Sequence, residues 1–150
     1  VEIVTTWSGG PRYELVTGLR ADPDVWAYAL AAADCDLTEQ PGQVWVLAVD
    51  EDGVAAWCAY HPGPGGHPVQ CVDSVELPRA YGSGAYRAAF LARHELLRRC
   101  PCVTYVYADP LALHLEHGWR YAGRGRTGDG RDWYRLIRDP DMRKRPPPTR

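Results

Sequence analysis

The sequence predicts an α/β fold of the α+β kind: a mixed, mainly antiparallel twisted sheet flanked by helices, with one parallel strand–helix–strand unit. Three observations predict it. Two pairs of apolar runs are joined by turns ending in Asp52-Gly53 and Asp129-Gly130, a strong local signal for an antiparallel hairpin. An Ala- and Leu-rich segment, residues 84–99, lies between two β-branched runs, 69–77 and 103–108, which implies a crossover and a parallel pair. Finally, 150 residues with 45% hydrophobic and 24% charged side chains suffice for a packed core without disulfides or metal.

Residues 1–7 are β-branched and aromatic and predict a first strand, ended by Ser8-Gly9-Gly10-Pro11. Residues 12–20 predict a short helix. Asp22-Pro23 opens another, because Asp22 can cap it and Pro23 fits the first turn; residues 25–34 continue it. A polar loop over 35–43 ends in Pro41-Gly42. Residues 44–49 and 54–60 form the first hairpin, and a Pro/Gly-rich excursion over 61–68 leads to the strand 69–77. Helical spacing of Ala85, Ala88, Ala89, Leu91, Ala92, Leu96 and Leu97 predicts the long helix, closed by Pro101. The strand 103–108 and a short helix 111–117 follow, the latter stopped by Gly118. Residues 119–126 and 131–138 form the last hairpin. The reading is one domain over 1–138 and a flexible Pro/Arg-rich tail over 139–150.

Charge narrows the partners. There are 17 Lys and Arg against 19 Asp and Glu, a net charge of −2. The tail carries four basic and two acidic side chains, which leaves the body at −4. Such a body excludes nucleic-acid binding driven by overall charge and suits a cationic or amine-bearing partner. A local patch on the hairpin from Arg124 to Arg135 and on the basic tail leaves tRNA open. No apolar run approaches the length of a membrane span, and the first residues lack the pattern of a signal peptide. Five scattered cysteines read as reduced thiols of a cytoplasmic protein. Cys100 and Cys102 are too close for a zinc knuckle alone, and no second pair has ligand spacing, so no metal is expected. A homodimer is left open.

The sharpest local signal is Arg79-Ala80-Tyr81-Gly82-Ser83-Gly84, between a predicted strand and a predicted helix. A glycine turn at a helix N-terminus presents unpaired N–H groups, and the helix dipole favours an anion there. The glycines let a diphosphate approach the main chain, and Arg79 can add a charge-assisted contact. No Gly-Lys-Ser/Thr follows, so it is not a Walker loop. Arg87 stands where the dinucleotide fingerprint has its third glycine.

With this loop and order of elements, the chain resembles the GNAT superfamily of acyl-coenzyme A-dependent N-acetyltransferases. Arg79, Gly82 and Gly84 match that family's Q/R-x-x-G-x-G/A diphosphate loop. Ala108-Asp109-Pro110 and His114-Leu115-Glu116-His117-Gly118-Trp119-Arg120 are similar to its Asn and its helix ending Tyr-Glu-Lys-Leu-Gly-Phe-Arg. Asp132-Trp133-Tyr134-Arg135-Leu136 resembles its last strand. The likeness spans residues 44–138 and is good from 69 onward. This chain departs in three places. Its spacing from Val75 to Arg79 is one residue shorter, Asp109 replaces the frequent Asn, and His114 stands where many members carry a tyrosine acid.

The resemblance implies acetyl-coenzyme A as cosubstrate, bound by Val75, Leu77, Arg79, Tyr81, Gly82, Ser83, Gly84, Ala85 and Asp109. It also implies transfer to a small-molecule or peptide amine by direct attack in a ternary complex. The amine must lose a proton, and the thiolate must gain one. Glu76 is preferred as base because it is nearer the loop than Asp73, which points to the other face of the strand. His114 is the acid by family position; Tyr105 or Tyr107 can supply a phenol instead. The first helices and the last hairpin, where the family shapes its acceptor pocket, offer Trp26, Tyr28, Asp34, Asp36, Glu39 and Trp133. From another class, a catalytically degenerate coenzyme-binding or protein-interaction module is also compatible.

Overall fold

The short β-branched runs and Asp-Gly turns organise the chain into one sheet. The computed structural model describes residues 3–8, 14–18, 42–66 and 68–143. Within them, β1 (Ile3–Ser8), β2 (Glu14–Gly18), β3 (Val44–Asp50), β4 (Gly53–His61) and β5 (Val69–Glu76) pair antiparallel in succession. The helix α1 (Ala85–Leu96) then crosses over to β6 (Cys102–Val106), which lies parallel to β5. After α2 (Ala108–Glu116), β7 (Arg120–Arg126) and β8 (Asp132–Arg138) close the sheet, in the order β1-β2-β3-β4-β5-β6-β8-β7.

One element differs from the sequence reading. Residues 14–18, expected inside a helix over 12–20, form the strand β2. It pairs with β1 on one edge and β3 on the other, with Leu15 buried in the core. A nine-residue helix is marginal on its own, so two strand edges and a core site outweigh its propensity. The helix expected over 22–34 and most of the loop after it lie outside the described residues. The helix α2 begins at Ala108, three residues before the expected start, because Asp109 and Pro110 fit a first turn that needs no N–H donor from proline.

Strand alternation divides the core by face. Ala85, Ala89 and Ala92 of α1 pack on Val46, Ala48, Ala56 and Cys58. These small side chains let the helix lie close to the sheet. Trp45, Leu47, Trp57, Ala59 and Leu77 fill the opposite face. A third cluster joins Cys71, Cys102, Val106, Trp119 and Leu136. Cys58, Cys71 and Cys102 are buried thiols and Cys100 is half-buried. Residues 139–143, counted in the tail above, meet the turn after α1: the Asp141 N–H donates to the Arg98 carbonyl at 2.8 Å. Among the described residues no helix is long and apolar enough to cross a membrane.

Candidate active site

The parallel pair of β5 and β6 is short. Its register runs Val69↔Cys102, Gln70↔Val103 and Cys71↔Thr104 and stops there, while β5 continues to Glu76 and β6 to Val106. The strands therefore splay. At the root of the opening the Thr104 hydroxyl donates to the Cys71 carbonyl at 2.9 Å. A bulge in the β4–β5 ladder between Cys58 and Ala59 lets β5 bend away. Two cavities lie in the gap. The larger, about 570 Å³, is lined by Val75, Glu76, Tyr81, Tyr86, Asp109 and Pro110. The smaller, about 200 Å³, has Cys71, Val72, Thr104, Tyr105, Tyr107 and His114 in its wall.

The glycine loop sits at the mouth of this gap. Gly82 and Gly84 adopt φ of 76° and 89°, and a Cβ on either would meet no heavy atom within 4 Å. Backbone conformation, not crowding, requires glycine at both positions. Ala85 is buried and starts α1, and its N–H donates to the Ser83 hydroxyl oxygen at 3.3 Å. Val75 and the exposed Tyr81 line the larger cavity, as does Asp109 from the first turn of α2. Leu77 faces elsewhere. Its side chain is in the core and its N–H donates to the Ala55 carbonyl at 2.8 Å, which corrects its expected place at the coenzyme.

Arg79 and Glu76 also stand differently from expectation. The Arg79 guanidinium forks onto Asp50, with Nη1 and Nη2 donating to its two oxygens at 2.9 and 3.0 Å. Nη2 also donates to the Gly53 and Val54 carbonyls at 3.1 and 2.8 Å. Arg79 thus pins the loop to the β3–β4 turn instead of reaching over it as a phosphate ligand. In return its hydrogen bond holds the Asp50 carboxyl below the usual value. Glu76, expected as a base, accepts from the Gly82 N–H at 3.0 Å and from the Tyr86 N–H at 2.9 Å. Both of its oxygens are committed to the main chain of the loop and of α1.

Rings form the far wall. His114 is 1% exposed. Its Nδ1 lies 2.8 Å from the Pro110 carbonyl, and its buried Nε2 has no hydrogen-bond partner among the described residues. The ring packs edge-on against Phe90 and Trp119 at centroid distances of 4.8 and 5.3 Å. Burial pushes its pKa down to about 4. At neutral pH the ring is uncharged and its Nδ1–H is held by Pro110, so the expected imidazolium donor is absent. Desolvation likewise lowers His94 to about 3, and the Trp119 indole N–H donates to its Nε2 at 2.9 Å. The phenol-bearing alternatives are better placed. Tyr105 and Tyr107 both line the smaller cavity, and the Arg131 guanidinium stacks over the Tyr107 ring, 3.8 Å from its centroid.

Among the expected acceptor residues, Trp133 is half-buried on β8, its ring 5.8 Å from that of Tyr105. It lies over Gly125, where a Cβ would fall 2.3 Å from the indole. Trp26, Tyr28, Asp34, Asp36 and Glu39 lie outside the described residues, as does the side chain of Asp73. Two residues gained no role from sequence. Tyr86 lines both cavities. Arg93 is 2% exposed, and its Nη1 bridges the Ala59 and Val72 carbonyls at 3.0 and 3.3 Å, beside the bulge. A signal for Arg93 existed: it continues the i, i+4 stripe of Ala85 and Ala89 on the buried helix face.

No family model and no curated protein matches this sequence. Solved structures do match. The ribosomal-protein-S18-alanine N-acetyltransferase from Escherichia coli is 14% identical with a TM-score of 0.68, covering 87% of this chain and 96% of its own. Escherichia coli ElaA is 12% identical, also at 0.68, covering 85% of this chain and 99% of its own. An acyl-CoA N-acyltransferase from Pseudomonas aeruginosa is 18% identical at 0.52, covering 69% of this chain and 71% of its own. The protein has the fold of the GNAT acetyltransferases, and the expected mixed sheet with its parallel unit is the one observed.

Proposed function

We propose that this protein is a GNAT N-acetyltransferase that moves an acetyl group from acetyl-coenzyme A to a primary amine by direct attack in a ternary complex. The observation that carries the reading is the splay of β5 from β6 after Cys71↔Thr104, with a glycine turn and a helix N-terminus at its mouth. The open edge of β5 offers main-chain groups to the amides of an extended pantetheine arm, as a strand edge does to a peptide. The loop amides and the α1 N-terminus suit the diphosphate. The coenzyme supplies the activated thioester; the chain orients it, keeps water from it and handles two protons.

The smaller cavity is the place for the thioester carbonyl, which fixed dipoles would polarise there. Tyr105 and Tyr107 stand in its wall and are the candidate donors to the leaving thiolate. The strand carboxylate that takes the amine's proton, directly or through water, is Asp73 or, once it is off the loop amides, Glu76. Calorimetry with acetyl-coenzyme A, desulfo-coenzyme A and ATP tests the reading. Binding of both coenzyme forms and not ATP is expected. No binding would reduce the loop to a tight turn and favour an interaction module. Binding without thiol release across an amine panel would favour a degenerate coenzyme-binding domain.

A further inference from the structure

The cradle of amides at the loop already holds an anion, and that anion belongs to the chain. One Glu76 oxygen accepts from the Gly82 N–H and the other from the Tyr86 N–H, at 3.0 and 2.9 Å. These are donors on the loop and in the first turn of α1, where a diphosphate would seat. We propose that Glu76 is a built-in competitor of the coenzyme's diphosphate, which must leave these amides before an acyl-coenzyme A can bind. The proposal rests on the coenzyme reading of the loop given above.

Three features support it. First, the connection is short: β5 ends at Glu76 and the loop's first glycine, Gly82, lies six residues on, which brings a strand-end carboxylate within reach of the loop. Second, the ion pairs among the described residues do not include Glu76, and Arg79 is drawn off to Asp50. The carboxylate is therefore held by main-chain dipoles, the same groups a diphosphate would use, so the two exclude each other. Third, Glu76 also lines the 570 Å³ cavity, which gives the side chain room to swing out.

The arrangement has a compensating role. Gly84 precedes α1 without any side-chain cap, so Glu76 serves as the anion at the helix N-terminus. Its loss should lower stability while raising affinity. A residue that only shapes the loop would lower both. When the binding-competent form is a fraction of the population, apparent affinity falls by that fraction.

The test is calorimetry of coenzyme A with the full chain, its E76Q variant and its E76D variant, with melting temperatures in parallel. E76Q keeps the shape and removes the charge. E76D keeps the charge but is one methylene too short to span both donors. Both variants are expected to bind about tenfold tighter and to melt lower. Unchanged or weaker binding by both overturns the proposal. Tightening by E76Q alone also overturns it, because charge repulsion rather than occupancy would then explain the gain. No binding by any of the three forms overturns the coenzyme reading itself.

Discussion

The two walls of the cleft treat polar groups in opposite ways. On the β5–α1 wall, charged side chains are tied to main-chain groups: Glu76 to the loop amides, Arg79 to two carbonyls beside its Asp50 partner, Arg93 to the carbonyls at the bulge. Behind the β6–α2 wall the polar groups are rings: His114 packs against Phe90 and Trp119, and His94 of α1 contacts the same two, at centroid distances of 4.5 to 5.8 Å. Under the proposed function the loop amides take the diphosphate and the smaller cavity the thioester, which is why the splay supports that reading better than the loop motif alone.

The largest expected effect lies on the charged wall. Gly84→Val forces a β-branched residue to a φ of 89° at the loop and should cut coenzyme affinity at least about a hundredfold. Circular dichroism should be unchanged, since a Cβ there meets nothing within 4 Å. Affinity retained in calorimetry would mean the charged wall is not the anion end.

Next comes Arg93→Met, which leaves the Ala59 and Val72 carbonyls without their guanidinium donor. A loss of about 3 kcal/mol in urea unfolding is expected, because the side chain is buried and its partners would be stranded. A loss below about 1 kcal/mol would show that the splay does not depend on this bridge.

The ring wall should reveal itself through pH. His114 titrates near 4 when folded, below its ordinary value of 6.5. Between those values the unfolded chain takes up a proton that the folded chain refuses, so stability falls as pH falls from 6.5 toward 4. His114 accounts for about 3 kcal/mol across that window, and His94, lowered to about 3, adds a slope of its own, so His114→Asn should reduce the slope without abolishing it. Melts at stepped pH values check this; an unaltered slope in the variant would place the titration elsewhere.

The smallest effect concerns Arg79 and Asp50, both partly exposed. A double-mutant cycle of Arg79→Met and Asp50→Asn should give a coupling of about 1 kcal/mol in stability. If Arg79 instead bound phosphate directly, Arg79→Met would weaken coenzyme binding with Asp50→Asn leaving it intact. In the clamp seen here, the two variants weaken it alike.

Much of this architecture was legible in advance because it is local. Both hairpins followed from their Asp-Gly turns, the crossover from the apolar spacing over 84–99, and the turn before α1 from its two glycines. The side chains at the site were less legible. Arg79, Glu76 and His114 were each assigned from sequence to the reaction or its ligand, yet the folded chain turns all three toward partners of its own. Asp50, the partner of Arg79, is 29 residues away, a separation that no spacing rule covers.

Residue order thus settles the backbone's local states, because φ preferences, hairpin turns and apolar periodicity act over a few bonds. Whether residues 14–18 extend or coil, whether His114 is wet or dry, and which carbonyls Arg93 bridges are questions of neighbours far away in the chain. Two strand edges made the first an extended segment, Phe90 and Trp119 removed water from the second, and a bulge between Cys58 and Ala59 presented the third with its acceptors. Burial and hydrogen-bond satisfaction are collective, so these outcomes exist only once the sheet has formed.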